Sequence, residues 1–369
     1  MLILKTYKAM SKLHFFVLAT GQASKYLVSA IEERKHSYDK HNPNDLYLFI
    51  SDSINGYDRI YNGSVNLEAP SRILSKSYHA VISRLGDGLE HGASILRHLT
   101  ENLGIYCAQT PDGLETASNK LKTTQKLSSS GLKVPVTTYA KNPVHIEFLI
   151  NKIGGLPAIG KMIRGSQGKG VFILETPQAA NTSLQSFYNL NVSMKLQKFI
   201  ESGSTDIRAI VVGDKVAVAM ERTGKKDFRA NISQGGSGKK VELSQEDIDI
   251  CVKAAKVVNL EFAGVDIIKD QNGKTYIIEI NGNPGTKIID ITGHNYFVDL
   301  VKHIETKVKR QKTQEDGNEA NSAMAFNGRE FLSNLVLKHP TTPSNQSTVN
   351  GGSSIAELKK RYAKLMSDL

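Results

Sequence analysis

The sequence predicts a mixed fold, with an α/β domain at the N-terminus followed by an α+β body. In the N-terminal part, apolar strand-like runs alternate with helical patterns, which is typical of a parallel sheet. Farther along, pairs of apolar runs are separated by short turns rich in Gly, Asp and Asn, which indicate antiparallel hairpins. A chain of 369 residues is also too long for one simple core, so we expect several domains.

The N-terminal region begins with a buried-type strand, H-F-F-V-L-A-T-G, at residues 14–21, followed by a helical run over residues 26–35. Two later runs, D-L-Y-L-F-I at 45–50 and H-A-V-I-S-R-L at 79–85, predict further strands. A helix around residues 93–103 precedes a last short strand, I-Y-C-A-Q. This βαβ rhythm predicts a small parallel sheet.

The α+β body begins with a lysine-bearing helix over residues 117–130. Strands at 156–163 and 170–175 flank a glycine-rich loop, and a second hairpin turns at Gly213-Asp214. A helix over 245–259 leads to a third hairpin, after which another helix begins at His294. The body is therefore predicted to contain antiparallel sheets with helices packed on them.

The composition favours a chain that binds anions and does not span a membrane. The formal charge is +11 and the pI is about 9.3, which suits nucleotides, acyl phosphates or acidic peptides as well as nucleic acids. No zinc finger, basic zipper or aromatic-rich RNA-binding signature occurs, so a nucleic-acid-binding function is not favoured. No signal peptide or long apolar run is found, and two cysteines fit a reducing cytoplasm.

The composition becomes polar beyond about residue 306, and the run P-T-T-P-S-N-Q-S-T-V-N-G-G-S predicts a flexible linker. Ser354 and Glu357 then form a capping-box pattern, and apolar residues recur at helical spacing up to Leu369. So short a helix must dock on something, either on the body of the chain or on a partner, including a second copy.

The third hairpin, residues 265–285, carries the strongest indication of chemistry. Glu279 and Asn281 are two residues apart on a strand, so they project from one face, and Asp266 on the partner strand shares that face if the register allows. Two carboxylates and an amide oxygen suit Mg²⁺ or Mn²⁺. An ordinary hairpin whose polar side chains face water is the alternative.

Two further features fit phosphate binding without requiring it. The loop G-S-Q-G-K-G (165–170) joins two strands, so it is not a Walker loop, but its backbone N–H groups can close over phosphates. Lys161 lies in an otherwise apolar strand and needs an anionic partner unless its amine reaches solvent. A charged cluster follows on the second hairpin and fits either phosphate recognition or a solvated face. Its members are Asp206, Arg208, Arg222, Arg229 and Asn231.

Five motifs occur in one order along the chain: G-K-M-I-R-G-S-Q-G-K-G-V, Q-K-F-I-E-S-G-S-T-D-I-R-A-I-V-V-G, D-F-R-A-N-I-S-Q-G-G, A-G-V-D-I-I and I-I-E-I-N-G-N-P-G. This series closely resembles the ATP-grasp superfamily and, within it, the RimK-type amino-acid ligases. The resemblance implies an N-terminal Rossmann-like pre-ATP-grasp domain (1–113), a central lobe (114–192) and a C-terminal lobe (193–305). The two lobes would clamp ATP, and a flexible tail (306–369) would end in the short helix.

The resemblance also implies roles for individual residues. Lys120 and Lys161 match the lysines that hold ATP phosphates, under a loop of Gly165, Ser166, Gln167 and Gly168. Gln197, Lys198, Phe199 and Ile200 match the strand at the adenine edge, and Asp206 matches an acidic residue near the nucleoside. Arg229 and Asn231 would line the phosphate and metal region, Arg222 and Arg229 being the catalytic candidates. Asp266, Glu279 and Asn281 match the metal ligands, and Arg84, Ser233 and Gln234 would face substrate.

The implied reaction uses ATP and two Mg²⁺ or Mn²⁺ ions to convert a carboxylate into an acyl phosphate, which an amine then attacks. By resemblance, the leading function is the addition of an amino acid, with glutamate favoured, to the C-terminus of a peptide or of a protein such as a small-subunit ribosomal protein. The alternatives are a ligase that builds a small peptide or cofactor side chain, and a non-catalytic ATP-binding adaptor. Relatives also make a homo-oligomer conceivable.

Three positions depart from the family pattern. Ser233-Gln234 stands where RimK-like enzymes usually carry His-Arg, Asn119 replaces an Asp, and Gly282-Asn283 replaces a small-Ser pair. The nucleotide and metal set is intact, so the departures put the choice of acceptor in doubt, because a cation is lost near the acyl site.

Overall fold

The described part of the chain forms four separate sheets in the computed structural model. The structure describes residues 12–21, 24–50, 59–65, 68–86, 88–142, 144–165, 170–224, 236–311 and 313. These residues up to Gln311 belong to one compact unit, and Lys312–Leu369 form a second unit. The predicted linker and terminal helix lie outside the described residues. In the described part of the chain, no helix is long and apolar enough to cross a membrane.

The strands, in chain order, are β1 His14–Ala19, β2 Ser37–His41, β3 Leu46–Phe49, β4 Arg59–Asn62, β5 Ser71–Ile73, β6 Ala80–Arg84, β7 Tyr106–Cys107, β8 Thr137–Tyr139, β9 Ala158–Met162, β10 Val171–Leu174, β11 Met194–Lys198, β12 Thr205–Val212, β13 Lys215–Thr223, β14 Ser237–Val241, β15 Phe262–Lys269 and β16 Thr275–Asn281. The α-helices are α1 Lys25–Glu33, α2 Leu89–Arg97, α3 Pro111–Ser118, α4 Lys120–Ser129, α5 Ile146–Lys152, α6 Pro177–Asn189, α7 Gln245–Val257, α8 Lys287–Thr292 and α9 over residues 296–311.

The N-terminal region contains the parallel sheet that the βαβ rhythm predicted. Its strand order is β2-β1-β6-β7, and each neighbouring pair is parallel. The five residues of β1 after His14 are all buried, as expected for a strand covered on both faces. Strand β6 ends at Arg84, which brings this candidate substrate residue to the carboxyl edge of the sheet.

One predicted strand of that sheet belongs elsewhere. The run at residues 45–50 forms β3, which pairs antiparallel with β4 in a separate sheet of three strands, β3-β4-β5. Leu46 is 5% exposed whereas Tyr47 and Phe49 are 53% and 52% exposed. Such alternation suits a sheet with one solvated face, whereas a parallel strand is buried on both faces. The prediction of a strand was right, and its assignment to the parallel sheet was wrong.

The central part of the chain forms an antiparallel sheet in the order β10-β9-β11-β8, with α5 and α6 contributing to its apolar core. The hairpin of β9 and β10 confirms the predicted strand pair around the glycine-rich loop. Gly160 in β9 leaves space for the ring of Phe172, because a Cβ atom there would lie 2.4 Å from that ring. This packing closes the sheet against its helices and leaves its other face to the candidate site.

The largest sheet has the order β14-β13-β12-β15-β16 and contains both remaining hairpins of the prediction. Helix α7 packs against its central strands, and α9 shares a core with β1 of the parallel sheet through buried residues such as Phe15 and Phe297. The shared core holds the carboxyl edge of the parallel sheet next to the end of β16. The domain limits at 113, 192 and 305 stay predictions.

The predicted helix over residues 117–130 is interrupted at Asn119. Its backbone is extended there, and its side chain accepts hydrogen bonds from the N–H groups of Leu121 and Lys122. An Asn or Asp at this position satisfies two N–H groups that have no partner within the helix. The break makes Lys120 the first residue of α4, which positions its side chain next to the strands.

Candidate active site

The hairpin of β15 and β16 aligns the three oxygen-bearing residues that its sequence spacing predicted to share a face. Asp266 lies directly opposite Glu279, and Gly264 lies opposite Asn281. The register shifts between Asp266 and Ile267, which ends the regular pairing beside this set. Because alternate positions on paired strands point to the same side, the two carboxylates and the amide line one face.

Asp266 is 2% exposed, and arginines surround its carboxylate. Arg208 forms a bidentate pair with it, Nε to Oδ1 at 2.7 Å and Nη2 to Oδ2 at 2.6 Å, and Arg222 Nη2 donates to Oδ2 at 2.8 Å. Burial alone would raise the pKa of Asp266, but Arg208 and Arg222 hold it well below its usual value. The carboxylate is therefore charged at neutral pH.

A second buried carboxylate completes this network. Asp206 accepts two hydrogen bonds from Arg222, at 2.5 and 2.7 Å, so Arg222 bridges Asp206 and Asp266. The two carboxylates raise the pKa of Arg222 in spite of its burial. The sequence predicted Asp206 near a nucleoside and Arg222 in catalysis, and the structure places both in one ion-pair network beside the hairpin.

Lys120 connects this hairpin to the glycine-rich loop. Its Nζ atom lies 3.1 Å from Glu279 Oε1 and donates to the carbonyl oxygen of Gly165 at 2.6 Å. Its backbone N–H donates to Ile163 O at 2.9 Å, which fixes the start of α4 to the end of β9. Lys120 and Glu279, which the sequence placed in one site, are therefore in contact.

Lys161 projects from β9 toward the same group of charges. Burial lowers the pKa of its ammonium to about 8, with Glu279 opposing the shift and Lys120 adding to it. The cost of burying a cation is recovered only when an anion lies close to it. Lys161 is thus suited to a phosphate group.

Gln197, on β11, lies at the predicted adenine edge. Gln197 is 2% exposed, and its Nε2 atom donates to Thr137 Oγ1 at 3.0 Å. Its Oε1 atom is buried and accepts no hydrogen bond from the residues that the structure describes. Strand β11 ends at Lys198, so Phe199 and Ile200 follow the strand and do not belong to it as the sequence predicted. A buried carbonyl oxygen without a donor is suited to an incoming amino group.

Arg84 reaches from the parallel sheet to the loop after β16. Its Nη2 atom donates to Pro284 O at 2.9 Å, and its guanidinium lies 5.2 Å from the centre of the Phe297 ring. Its Nη1 atom and the Oδ1 atom of Asn283 are buried and have no hydrogen-bond partner among the described residues. Burial lowers the pKa of Arg84. An arginine that pairs with no acidic side chain in the described part of the chain suits a substrate carboxylate.

Several predicted site residues lie outside the described part of the chain. These are Ser166, Gln167 and Gly168 of the glycine-rich loop, and Arg229, Asn231, Ser233 and Gln234 after the second hairpin. Their roles stay predictions. Gly165, the first residue of the glycine-rich loop, accepts a hydrogen bond from Lys120 Nζ.

The sequence did not predict specific roles for two residues of the site, Arg208 and Lys195. Arg208 was recognised only as part of a charged cluster, although it is a bidentate partner of Asp266. Lys195, on β11, was not singled out, although it is 1% exposed and donates to Lys120 O. The available signal was weaker than for Lys161: Lys195 lies between the apolar residues Met194 and Leu196, but its strand, M-K-L-Q-K, also contains two other polar residues.

The donor set at the hairpin fits a hard divalent cation that other oxygen ligands complete. Asp266, Glu279 and Asn281 offer oxygen atoms only, which favours Mg²⁺-like ions over zinc. Among the described residues, no group of three or more His, Cys, Asp or Glu side chains could hold a metal by itself. This set leaves coordination positions that phosphate oxygens or water would fill, as is common for Mg²⁺.

Comparisons with known proteins identify the family of this chain. The chain matches the RimK-like ATP-grasp domain over residues 117–304. It is 34% identical over 300 residues to a "Probable alpha-L-glutamate ligase" of Legionella pneumophila strain Corby, covering 79% of this chain and 95% of that protein. A protein of the same name from Maridesulfovibrio salexigens is 33% identical over 300 residues, covering 79% of this chain and 94% of that protein.

Solved structures show the same fold at low sequence identity. The ATP-grasp ligase PsnB, solved with a phosphomimetic precursor variant, Mg and ADP, superposes with a TM-score of 0.62 at 16% identity. That match covers 80% of this chain and 98% of PsnB. The D-alanine-D-alanine ligase from Coxiella burnetii superposes with a TM-score of 0.53 at 16% identity, covering 85% and 99% of the two chains.

Proposed function

This chain belongs to the RimK-like ATP-grasp family of C–N bond-forming ligases. We propose that it joins an amino acid, with glutamate favoured, to the C-terminal carboxylate of a peptide or protein. Its nucleotide substrate is ATP, and its metal is Mg²⁺. The observation that carries the proposal is the contact of Lys120 with Glu279, next to Lys161 and Asp266. This arrangement brings lysines that can bind phosphate next to carboxylates that can bind a metal ion.

The charges around the site favour a polyanion. Four cationic side chains face three carboxylates. The cations are Lys120, Lys161, Arg208 and Arg222, and the carboxylates are Asp206, Asp266 and Glu279. The arginines are already paired with Asp206 and Asp266, and the two lysines share one carboxylate, Glu279, so the net positive charge of this group lies on the lysines. A triphosphate adds the negative charge that these lysines lack.

Asp266, Glu279 and Asn281 would hold Mg²⁺. Such an ion, when bound, would supply positive charge that offsets the charge of the phosphate oxygens and lowers the barrier to phosphoryl transfer. Arg208 and Arg222 keep the Asp266 carboxylate ionised and fixed in orientation, so that it offers an anionic oxygen at any pH near neutrality.

The reaction proceeds in two steps, and neither step needs a nucleophile from the protein. A substrate carboxylate oxygen attacks the γ-phosphorus of ATP, the bond from that phosphorus to the β–γ bridging oxygen breaks, and ADP leaves. The amine nitrogen of the incoming amino acid then attacks the acyl carbon, and phosphate leaves as the nitrogen loses its proton. Lys120 and Lys161 stabilise the charge that moves between phosphates, and the protein supplies positioning.

Arg84 would bind a carboxylate of the substrate. Its Nη1 atom has no hydrogen-bond partner within the described ranges, and its Nη2 atom donates to Pro284 O in the loop that follows Asn281. An arginine held at the loop after the metal ligands can align a carboxylate with the γ-phosphate. The acceptor is favoured to be a macromolecule with an acidic end, since the chain carries a net charge of +11. A small-subunit ribosomal protein is one such candidate.

The test is intact-mass spectrometry of acceptors after incubation with the enzyme, ATP, Mg²⁺ and single amino acids. We expect mass increments of glutamate residues on a peptide or protein, with equal release of ADP. The Glu279→Gln variant should abolish both, and Lys126→Met, which changes an exposed lysine of α4, should not. ADP release that occurs only with free small molecules would contradict a protein acceptor and favour the synthesis of a small peptide or cofactor side chain.

A further inference from the structure

Lys195 is a buried lysine in the middle of the central sheet. It lies on β11, directly opposite Lys161 of β9 and Tyr139 of β8, and it is 1% exposed. Its neighbours Met194 and Leu196 are apolar and buried. Lysine is among the residues that are least often fully buried, because its ammonium loses hydration. A lysine in this place therefore needs a specific purpose.

The side chain of Lys195 ends at the first turn of α4. Its Nζ atom donates to the carbonyl oxygen of Lys120 at 3.0 Å and to Thr124 Oγ1 at 2.6 Å. Thr124 in turn donates its hydroxyl hydrogen to Lys120 O at 2.7 Å. Lys195 thus contacts the Lys120 carbonyl oxygen directly and also through the Thr124 hydroxyl.

Lys120 is consequently held from two strands. Its N–H donates to Ile163 O after β9, and its C=O accepts from Lys195 of β11. Its own ammonium then contacts Glu279 and Gly165. The direction of that ammonium depends on how the first turn of α4 is fixed, because the start of a helix lacks the hydrogen bonds that stabilise its middle.

We propose that Lys195 is a positioning residue of the ligase, which anchors the first turn of α4 to the central sheet and so aims the Lys120 ammonium at the phosphates of the nucleotide. This inference rests on the proposed function, since it assigns the phosphates to Lys120. Lys195 itself does not touch the reacting atoms.

The electrostatic setting supports this role. Burial lowers the pKa of Lys195 to about 6, and Lys161 and Lys120 add to the shift while Glu279 opposes it. At neutral pH this favours the uncharged amine, which donates hydrogen bonds to Lys120 O and Thr124 without adding a third positive charge beside Lys120 and Lys161. A neutral donor is what a positioning contact beside two cationic lysines requires.

The test compares the affinities of ADP and of adenosine for the full chain by isothermal titration calorimetry. ADP reports on the phosphate end, whereas adenosine reports on the adenine edge alone. Lys195→Met removes the amine and keeps the volume of the side chain, and Thr124→Val removes one of its partners. Lys126→Met is the matched control, because it removes an exposed lysine from the same helix.

We expect Lys195→Met to weaken the affinity for ADP about tenfold, which is the effect of losing one good hydrogen bond. The affinity for adenosine should change by less than twofold. Thr124→Val should weaken ADP in the same selective way, and the double variant should lose less than the product of the two single effects. The melting temperature of Lys195→Met should not fall, because replacing a buried polar lysine by methionine removes a desolvation cost.

Equal weakening of ADP and adenosine, or no weakening of either, would overturn the inference and leave Lys195 with a role in folding only. Should Lys195→Met fail to fold, the Thr124→Val ratio of ADP to adenosine affinity decides alone. If the wild-type chain binds neither ADP nor adenosine, both the proposed function and this inference are contradicted. If the wild type binds ADP but the ratio of ADP affinity to adenosine affinity is unchanged in the variants, only this inference is contradicted.

Discussion

Asp266 and Glu279 face each other across one hairpin, yet the same amide substitution should have different effects on stability at the two positions. Asp266 accepts three hydrogen bonds from Arg208 and Arg222, and its side chain is 3% exposed. Glu279 has a side chain that is 35% exposed and forms one ion pair, with Lys120. The first is a buried network and the second is a partly solvated contact.

We expect Asp266→Asn to lower the free energy of unfolding by about 3 kcal/mol, the lower end of the cost of breaking a buried ion pair. One amide oxygen still accepts from Arg208, but Arg222 loses its bond to Oδ2 and Arg208 loses its second bond. Glu279→Gln should cost at most about 1 kcal/mol. In a chain of this size, a loss of 3 kcal/mol lowers the melting temperature by about 4 °C.

The assay is thermal unfolding of the wild type and both variants, without nucleotide and with Mg²⁺ and ADP. Without nucleotide, only Asp266→Asn should melt clearly lower than the wild type, and with Mg²⁺ and ADP neither variant should gain the wild-type increase. The pKa of Asp266 is lowered in the fold, so its stabilisation is present above the ordinary carboxyl pKa of about 4. It is lost as the pH falls below that value, and the difference between wild type and Asp266→Asn should shrink there.

The opposite result would refute the reasoning. If Asp266 were chiefly a repelled carboxylate awaiting a cation, its neutralisation would stabilise the chain without nucleotide. A melting temperature of Asp266→Asn at or above that of the wild type would therefore show that the two arginines do not pair with it in solution.

Three further predictions concern the nucleotide, the substrate and the start of α4. The affinity for ADP should weaken as the pH rises from 7.5 to 9, because Lys161, with a pKa of about 8, then loses its charge. Calorimetry should show a flatter pH profile for Lys161→Met. Arg84→Met should raise KM for the carboxylate substrate at least tenfold while ADP affinity changes by less than twofold, since its Nη1 atom, which has no hydrogen-bond partner among the described residues, lies at the loop after the metal ligands. A parallel loss of ADP affinity would contradict that role. Asn119→Ala should lower stability by about 1 kcal/mol in urea unfolding, whereas Asn119→Asp should keep it, because both Asn and Asp cap a helix. Equal losses in the two variants would argue against the cap.

Much of the local structure could be predicted from the sequence. Alternation of apolar residues identified the strand pairs, and their short turns identified the hairpins, because both depend on contacts between residues close in the chain. The break at Asn119 was missed, although Asn followed by a helical run is a capping signal. The separate sheet containing β3 was also missed, since a run of six residues does not say which strand will be its neighbour.

The sequence by itself determined the types of residue at the site and the shared face of Glu279 and Asn281, since side chains alternate along any strand. Only the tertiary structure decided that Asp266 lies opposite Glu279, that Arg208 and Arg222 occupy its oxygens, and that Lys195 holds Lys120 across 75 residues of chain. These contacts depend on register and on which strands become neighbours. The burial of the common core sets both, and no local pattern encodes them.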